Sequence, residues 1–260
     1  MLFRSMGRDA RVQVSHIKIV YGKTADEADA VMKKLADARA RGVRVTADVY
    51  PYLASQTGLA ILFPEWAKVR TDFERARRER RPELASYLQE RVTKRGGPEA
   101  TLLSTGRFTG FTLADLSRET RKSFVDILID DLGPDGASAD YFVMAAPVQD
   151  RFVMAPDTMI STDGSPAMHH PRAFGTYARL IEAYVGKMGL PLPVAVRKMS
   201  ALAAEALKIP DRGLIKEGYK ADLVLFDPKR VHETTTWVKP EQLATGFDIV
   251  IVNGHIAREA

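Results

Sequence analysis

Hydrophobic and polar positions in the first fifth of the chain predict two parallel strands joined by a helix. Residues 11–17, RVQVSHI, alternate in polarity and predict a short strand, and residues 43–49 predict a second one. Between them, Thr24 and Glu27 have the capping-box spacing, apolar residues recur at helical spacing, and Gly42 is a typical helix stop. Strand, helix and strand in this order indicate the βαβ unit of a parallel sheet.

A third buried strand is predicted at residues 158–161, roughly a hundred residues after the second. We expect residues 53–157, between these two strands, to be a largely helical insertion. It would form a lid or substrate-binding subdomain, with a packing appendage as an equally weighted alternative. Helices are predicted again at residues 173–188 and 194–207. The pattern then changes, and residues 208–260 predict a small β module that ends in a hairpin with an Asn-Gly turn.

Composition and charge exclude several classes of site. The 260 residues are 45% hydrophobic and 27% charged, which is typical of a globular protein. The sequence has no cysteine, so it contains no disulfide, thiolate metal site or cysteine nucleophile. The net charge is +5, but its main basic run, residues 75–81, is interleaved with glutamates and lacks aromatic platforms. We therefore expect no nucleic-acid binding. We also expect no membrane insertion, because no apolar run approaches the length of a membrane helix.

Polar side chains follow the predicted strands at the edge where parallel α/β proteins bind ligands. Asp163 comes just after the third strand, beside Gly164, and the same loop continues to His170 and Arg172. Taken alone, Asp163 is as consistent with a helix cap or turn residue as with a functional carboxylate. His16, near the end of the first strand, would on its own more often be a structural histidine than a ligand.

Four sequence motifs carry a resemblance to a known family. They are VQVSHIK at 12–18, DVYPY at 48–52, STDG with HPRAFGT within 161–176, and RGLIKEGYKADLVLFDP at 212–228. The chain resembles the C-terminal half of the D-aminoacylase (N-acyl-D-amino-acid deacylase) family of the amidohydrolase superfamily. The fourth motif is common to many amidohydrolases, whereas the second and third are more specific.

The resemblance implies an α/β fold, namely part of a TIM (β/α)8 barrel. Residues 1–207 would hold about strands six to eight of the barrel, with residues 53–157 as the lid insertion. Residues 208–260 would form part of a small β-sandwich domain.

The same resemblance implies roles for individual residues. His16 and Asp163 would bind one or two Zn²⁺ ions, and Asp163 would also act as the catalytic base, taking a proton from a metal-bound water. Tyr50 would polarise the scissile carbonyl and contact the substrate. Arg172 would pair with the substrate's carboxylate. These residue types suit the chemistry, because zinc supplies hydroxide near neutral pH and a guanidinium binds a carboxylate through two parallel hydrogen bonds.

Three further residues receive weaker assignments. His170 and Ser55 are assigned to substrate binding, and Lys18 to a supporting position or an ion pair. The small-molecule partner would be an N-acyl amino acid.

The expected function is metal-dependent hydrolysis of linear amide C–N bonds, of the N-acyl-D-amino-acid deacylase type. No histidine precedes His16, and two potential ligands are too few for a catalytic zinc site. We therefore expect a truncated C-terminal half that is inactive alone, with a missing N-terminal half as a possible partner. The alternatives are a non-catalytic remnant or interaction protein and a hydantoinase- or dihydroorotase-like cyclic amidase, although Arg172 favours a linear acyl substrate. We expect a cytoplasmic location, and any targeting signal would lie in the missing half.

Overall fold

The computed structural model describes residues 11–259. In chain order the strands are β1 Arg11–Val14, β2 Arg44–Val49, β3 Ala54–Gly58, β4 Thr101–Leu103, β5 Ser138–Phe142, β6 Thr158–Ile160, β7 Leu223–Phe226, β8 Phe247–Val252 and β9 His255–Glu259. The helices are α1 Ala25–Ala40, α2 Arg70–Glu79, α3 Arg81–Lys94, α4 Leu113–Thr120, α5 Phe124–Asp126, α6 Ala146–Met154, α7 Arg172–Arg179, α8 Leu192–Met199 and α9 Ala201–Leu207. The described residues form two units, one made of residues 11–51 and 145–259 and the other of residues 52–144.

The first unit is organised around a three-stranded parallel sheet in the order β1-β2-β6. The central strand β2 has four buried residues, and its Ala47 and Val49 are fully enclosed. Helix α1 begins after Thr24, whose backbone N–H donates to the Glu27 carboxylate at 2.9 Å, and Gly42 follows the helix with a φ of +83°. The predicted βαβ unit and its capping box are thus confirmed.

Helices of the first unit complete this core. The chain runs from α7 into a π-helical segment, Leu180–Val185, which covers most of the helix predicted at 173–188. The single helix predicted at 194–207 is divided into α8 and α9 at Ser200, where φ is −133° and ψ is −84°. Side chains from β2, β6, α6 and the π-helical segment share one hydrophobic cluster, which includes Phe152, Ile160 and Leu180.

The boundary of the insertion differs from our expectation. We placed residues 53–157 in the insertion, but residues 145–157 belong to the unit that contains the parallel sheet. The reason is α6, which the pattern analysis did not predict. Its Val148, Phe152 and Val153 are fully buried in the core beside β2 and β6.

The C-terminal part of the first unit is a three-stranded antiparallel sheet in the order β7-β8-β9. Strands β8 and β9 form the predicted hairpin, with Asn253 at a φ of +51° and Gly254 at +81° in its turn. Phe226 and Phe247 pack against a small cluster of Ala178, Ile181 and Val231. This sheet lies within residues 208–260, and the assignment of those residues to a β-sandwich domain stays a prediction.

The second unit combines an antiparallel sheet in the order β3-β5-β4 with helices α2 to α5. Strand β3, with the sequence ASQTG, was not predicted because it lacks an apolar alternation. In the second unit, Phe63 and Phe73 meet edge to face with 5.5 Å between the ring centroids, and Leu84 and Leu88 of α3 are fully buried.

Within residues 11–259, the three parallel strands form an open sheet and do not close into a barrel. The assignment to strands six to eight of a (β/α)8 barrel stays a prediction. None of the helices in this part of the chain combines the length and the hydropathy that crossing a bilayer requires.

Candidate functional site

The parallel sheet ends where the predicted site residues begin. His16 lies two residues after β1, Tyr50 directly follows β2, and Asp163 lies three residues after β6. Backbone N–H groups just past β1 and β6 donate to carbonyls of β2 at 2.7 Å and 3.0 Å, so the sheet pairing continues to this edge. Because parallel strands end on the same side of a sheet, the structure brings these three residues to one edge.

Asp48 connects the strand ends at this edge. Its side chain accepts hydrogen bonds from Gln13 Nε2 at 2.5 Å, from the His16 backbone N–H at 2.8 Å and from Ser161 Oγ at 2.5 Å. The residue is only 8% exposed. A buried carboxylate that accepts several hydrogen bonds holds its donors firmly in place, since charge-assisted hydrogen bonds are about twice as strong as neutral ones. Asp48 therefore fixes both the loop that carries His16 and the loop that carries Asp163.

His16 and Asp163 share a backbone conformation that non-glycine residues seldom adopt. Their φ values are +42° and +43°. Histidine and aspartate tolerate this left-handed region better than most residues, but it persists only where the surroundings hold it. The hydrogen bonds of Asp48 to the His16 N–H and to Ser161, two residues before Asp163, supply that constraint.

Arg172 faces Asp163 from the first position of helix α7. Its Nη2 lies 2.9 Å from Asp163 Oδ2, and its Nε–H donates to the Asp163 carbonyl at 3.0 Å. The guanidinium also lies over the ring of Tyr50, 4.7 Å from the centroid. Arg172 is only 2% exposed, and its buried Nη1 has no hydrogen-bond partner among the residues that the structure describes. One arm of the guanidinium is therefore a buried donor without an acceptor among the described residues.

Lys18 is a second cation at the same edge. Its Nζ donates to the Tyr50 hydroxyl oxygen at 2.9 Å. Burial and the nearby positive charge of Arg172 lower the pKa of Lys18 to about 8, although Asp163 and Asp48 oppose the shift. The ammonium form is still the main one at neutral pH. Because the Tyr50 oxygen accepts from Lys18, its hydroxyl proton points away from Lys18 and can be donated to another group.

His170 lies in the same loop as Asp163 but is fully buried. Its Nδ1 accepts a hydrogen bond from the Arg172 backbone N–H at 2.9 Å. Its ring meets those of Tyr50 and Trp237 edge to face, at centroid distances of 6.4 Å and 5.0 Å. The structure therefore places His170 against the Arg172 backbone and the Tyr50 ring, and direct contact of His170 with a substrate remains only a prediction.

Ser55 belongs to the other unit. It lies on β3, opposite Tyr141 of β5, and is half-buried. Its assignment to substrate binding stays a prediction.

The predicted metal ligands offer donors of suitable types but not a complete site. An imidazole and a carboxylate both bind zinc, and none of the described residues hydrogen-bonds the His16 imidazole. Within residues 11–259, however, no group of three or more histidine, aspartate or glutamate side chains is placed to hold a metal ion. A catalytic zinc site takes three protein ligands, so the described residues do not complete one. The assignment of His16 and Asp163 as ligands stays a prediction.

Sequence reasoning missed or undervalued three residues of this site. Asp48 lies within the DVYPY motif but received no role, because its partners are 32 to 113 residues away in the chain. Lys18 was named only as a supporting residue. Trp237, which contacts His170, lies in a polar loop and gives no local signal. The only sequence sign of Asp48 is a carboxylate between the apolar residues Ala47 and Val49 near the end of a predicted strand.

Comparison with known proteins shows similarity to amidohydrolases. Residues 146–257 match the sequence profile of the amidohydrolase family. The chain is 33% identical over 253 residues to N-acyl-D-aspartate deacylase of Alcaligenes xylosoxydans xylosoxydans, covering 95% of this chain and 44% of that protein. It is 32% identical over 250 residues to D-aminoacylase of the same organism, covering 95% and 45%. The chain thus spans less than half the length of these relatives.

Solved structures give the same result. A crystal structure of D-aminoacylase superposes with a TM-score of 0.74 at 29% identity, covering 96% of this chain and 47% of that one. N-acyl-D-glutamate deacylase from Bordetella bronchiseptica, solved with zinc and a phosphonate mimic of the tetrahedral intermediate, superposes with a TM-score of 0.74 at 28% identity. That match covers 95% of this chain and 46% of the Bordetella protein.

Proposed function

We propose that this chain, a member of the amidohydrolase family related over 95% of its length to D-aminoacylases, carries the base and the carboxylate-binding part of an amide-hydrolysing site. The reaction would be hydrolysis of the linear amide bond of an N-acyl-D-amino acid. The observation that carries this proposal is the cluster in which Arg172 lies 2.9 Å from Asp163 and 4.7 Å from the Tyr50 ring centroid.

The two cations of the cluster suit a substrate that bears a carboxylate. Arg172 Nη1 is buried and has no hydrogen-bond partner within the described residues, and a carboxylate oxygen that reached it would supply the missing acceptor. Lys18 adds a second positive charge beside Tyr50, 5.0 Å from the ring centroid. Removal from water strengthens such charge pairs, which supports a small anionic substrate.

Asp163 and Tyr50 suit the chemical step. The Asp163 carboxylate would accept the proton of the attacking water and return it to the leaving nitrogen. The Tyr50 hydroxyl would donate to the carbonyl oxygen as negative charge develops there. Lys18 supports this role, because an ammonium that donates to the phenol oxygen makes the phenol proton a stronger donor.

The names of the relatives support this substrate class, since they refer to N-acyl-D-aspartate, N-acyl-D-glutamate and D-amino acids. All of these substrates present an α-carboxylate beside the amide. This feature matches the charge of Arg172 and Lys18.

The finer part of the proposal concerns the metal. A neighbouring D-aminoacylase has a binuclear metal centre, and the Bordetella enzyme binds zinc. In this chain, His16 and Asp163 alone do not complete such a site. We therefore propose that the isolated 260-residue chain is inactive, and that the missing ligands would come from a part of the relatives that this chain does not match.

A chimera tests the catalytic roles. The part of N-acyl-D-aspartate deacylase that this chain does not match would be joined to this chain, loaded with zinc and assayed on N-acetyl-D-aspartate and N-acetyl-D-methionine. We expect hydrolysis. Asp163→Asn should lower kcat by about 10² to 10⁴, the usual contribution of a general base. Arg172→Lys should raise KM with a smaller change in kcat, because it weakens carboxylate binding.

Asp157→Asn is the matched control, since Asp157 lies before β6 rather than after it and its side chain is 75% exposed. This variant should keep the activity of the parent chimera. A folded, zinc-loaded chimera that hydrolyses neither substrate would contradict the proposal. So would an Asp163→Asn variant with unchanged kcat.

A further inference from the structure

Helix α7 begins without a side-chain cap at its N-cap position. That position is Pro171, whose ring offers no acceptor. The N–H groups of residues 173, 174 and 175 donate to backbone carbonyls of His170 and Pro171 at 2.8 to 3.1 Å. The Arg172 N–H instead donates to His170 Nδ1 at 2.9 Å. Because Arg172 is buried, this bond replaces the hydrogen bond that water or a capping side chain would otherwise supply.

The His170 ring is held on several sides. It is fully buried, and it meets Tyr50 at an interplanar angle of 63° and Trp237 at 77°. Edge-to-face packing of this kind fixes the plane of a ring. The hydrogen bond from Arg172 then fixes which nitrogen faces the helix.

We propose that His170 is a positioning residue and not a substrate contact. Its neutral imidazole, protonated at Nε2, anchors the backbone of Arg172 and thereby directs the guanidinium to Asp163 and the Tyr50 ring. The tautomer follows from chemistry: a ring nitrogen that accepts a hydrogen bond from a backbone N–H has its lone pair there and carries no proton. The relevance to catalysis rests on the proposed function, but the tautomer and the anchoring do not.

The first test uses the wild-type chain. With ¹⁵N-labelled histidine, the imidazole nitrogen shifts of all five histidines can be recorded, and His170→Asn identifies the signals of His170. We expect Nδ1 without a proton and Nε2 with one at pH 7. A proton on Nδ1, in either the neutral or the charged ring, would overturn the proposal.

The second test asks whether His170 positions Arg172. The Nε–H of Arg172 donates to the Asp163 carbonyl at 3.0 Å, so its exchange with solvent reports the placement of the guanidinium. His170→Phe keeps a ring but removes the acceptor and should speed this exchange about tenfold or more. His170→Asn restores an acceptor, as asparagine does at helix starts, and should stay within about threefold of wild type.

His169→Phe is the matched control. His169 is the neighbouring residue, and its Nδ1 lies 2.7 Å from Glu241 rather than at the start of α7. Its replacement should leave the Arg172 exchange unchanged. If His170→Phe keeps wild-type protection, the anchoring role is wrong. If the tautomer and the exchange follow our expectation while the zinc-loaded chimera remains inactive, the proposed function fails and the positioning role stands.

Discussion

Asp48 ties together the loops that carry His16 and Asp163, so its replacement tests how the site is held. Asp48→Ala removes the acceptor of the His16 N–H at 2.8 Å and of the Ser161 hydroxyl at 2.5 Å. A hydrogen bond to a charged group contributes about 1.5–3 kcal/mol. Removing the carboxylate also removes the unfavourable free energy of burying its charge, and this offsets part of the stability lost with the hydrogen bonds. We expect the variant to lower the free energy of unfolding by about 2–4 kcal/mol.

Asp48→Asn is the matched variant, because it keeps one oxygen for the same two donors. Its amide nitrogen would face Gln13, whose own amide can turn so that its oxygen accepts from the new group. The Gln13 nitrogen would then donate to the Thr46 hydroxyl, which the Gln13 oxygen contacts in the wild type. Every donor keeps an acceptor, so we expect a loss of about 1 kcal/mol or less.

Urea unfolding measures both changes. The chain has two tryptophans, and Trp237 lies in the unit that contains Asp48, whereas Trp66 lies in the other. In a Trp66→Phe background, fluorescence follows the unit of interest, and equal slopes against urea would show that stability alone has changed. Equal midpoints for Asp48→Ala and Asp48→Asn would refute the reasoning, because they would show that an acceptor at this position contributes no stability.

Two further predictions concern the same unit. Lys198 is fully buried, its ammonium donates to the Ala155 carbonyl, and burial lowers its pKa from 10.5 to about 8. The unfolded chain therefore binds more protons between pH 8 and 10.5. As the pH rises from 8 to 10.5, the free energy of unfolding of the wild type should increase by about 3 kcal/mol relative to that of Lys198→Met. A difference between the two proteins that does not change with pH would contradict the buried-charge argument. In Gly164→Ala, the new Cβ would lie 2.7 Å from Ala173 Cα, so the Asp163 loop must move from α7. We expect a loss of about 1–3 kcal/mol in thermal unfolding, and an unchanged melting temperature would show that the loop does not pack there.

The first unit could be predicted in outline because its signals are local. Alternating apolar residues mark β1, a buried apolar run marks β6, and the Thr24 capping box marks the start of α1. The Asn-Gly turn marks the last hairpin. Each of these features is decided by neighbours in sequence, and the structure confirms each one.

Elements fixed by distant contacts could not be predicted. Helix α6 has only nine residues, and the pattern of so short and largely apolar a segment does not separate helix from strand. Strand β3 has no hydrophobic alternation and depends on pairing with β5, more than 80 residues later. Its polar residues give no strand signal without that partner.

In the site, too, the features decided by sequence neighbours could be predicted and those decided by distant contacts could not. Asp163 and Arg172 lie nine residues apart in one recognisable motif, and the structure joins them in an ion pair. The contacts that hold them are long-range: Ser161 reaches Asp48 across 113 residues, and His170 meets Trp237 from the loop between β7 and β8. Such contacts depend on the whole core, so the sequence indicated which residues belong to the site but not how they are fixed.

The central claim is that residues 11–259 hold the proposed base and carboxylate-binding residues but do not by themselves complete a metal centre. The most direct test is the zinc content of the purified 260-residue chain, measured by elemental analysis beside a hydrolysis assay on N-acetyl-D-methionine. We predict zinc well below one equivalent and no turnover, because His16 and Asp163 are too few to hold a catalytic ion. Stoichiometric zinc with metal-dependent turnover would contradict the claim.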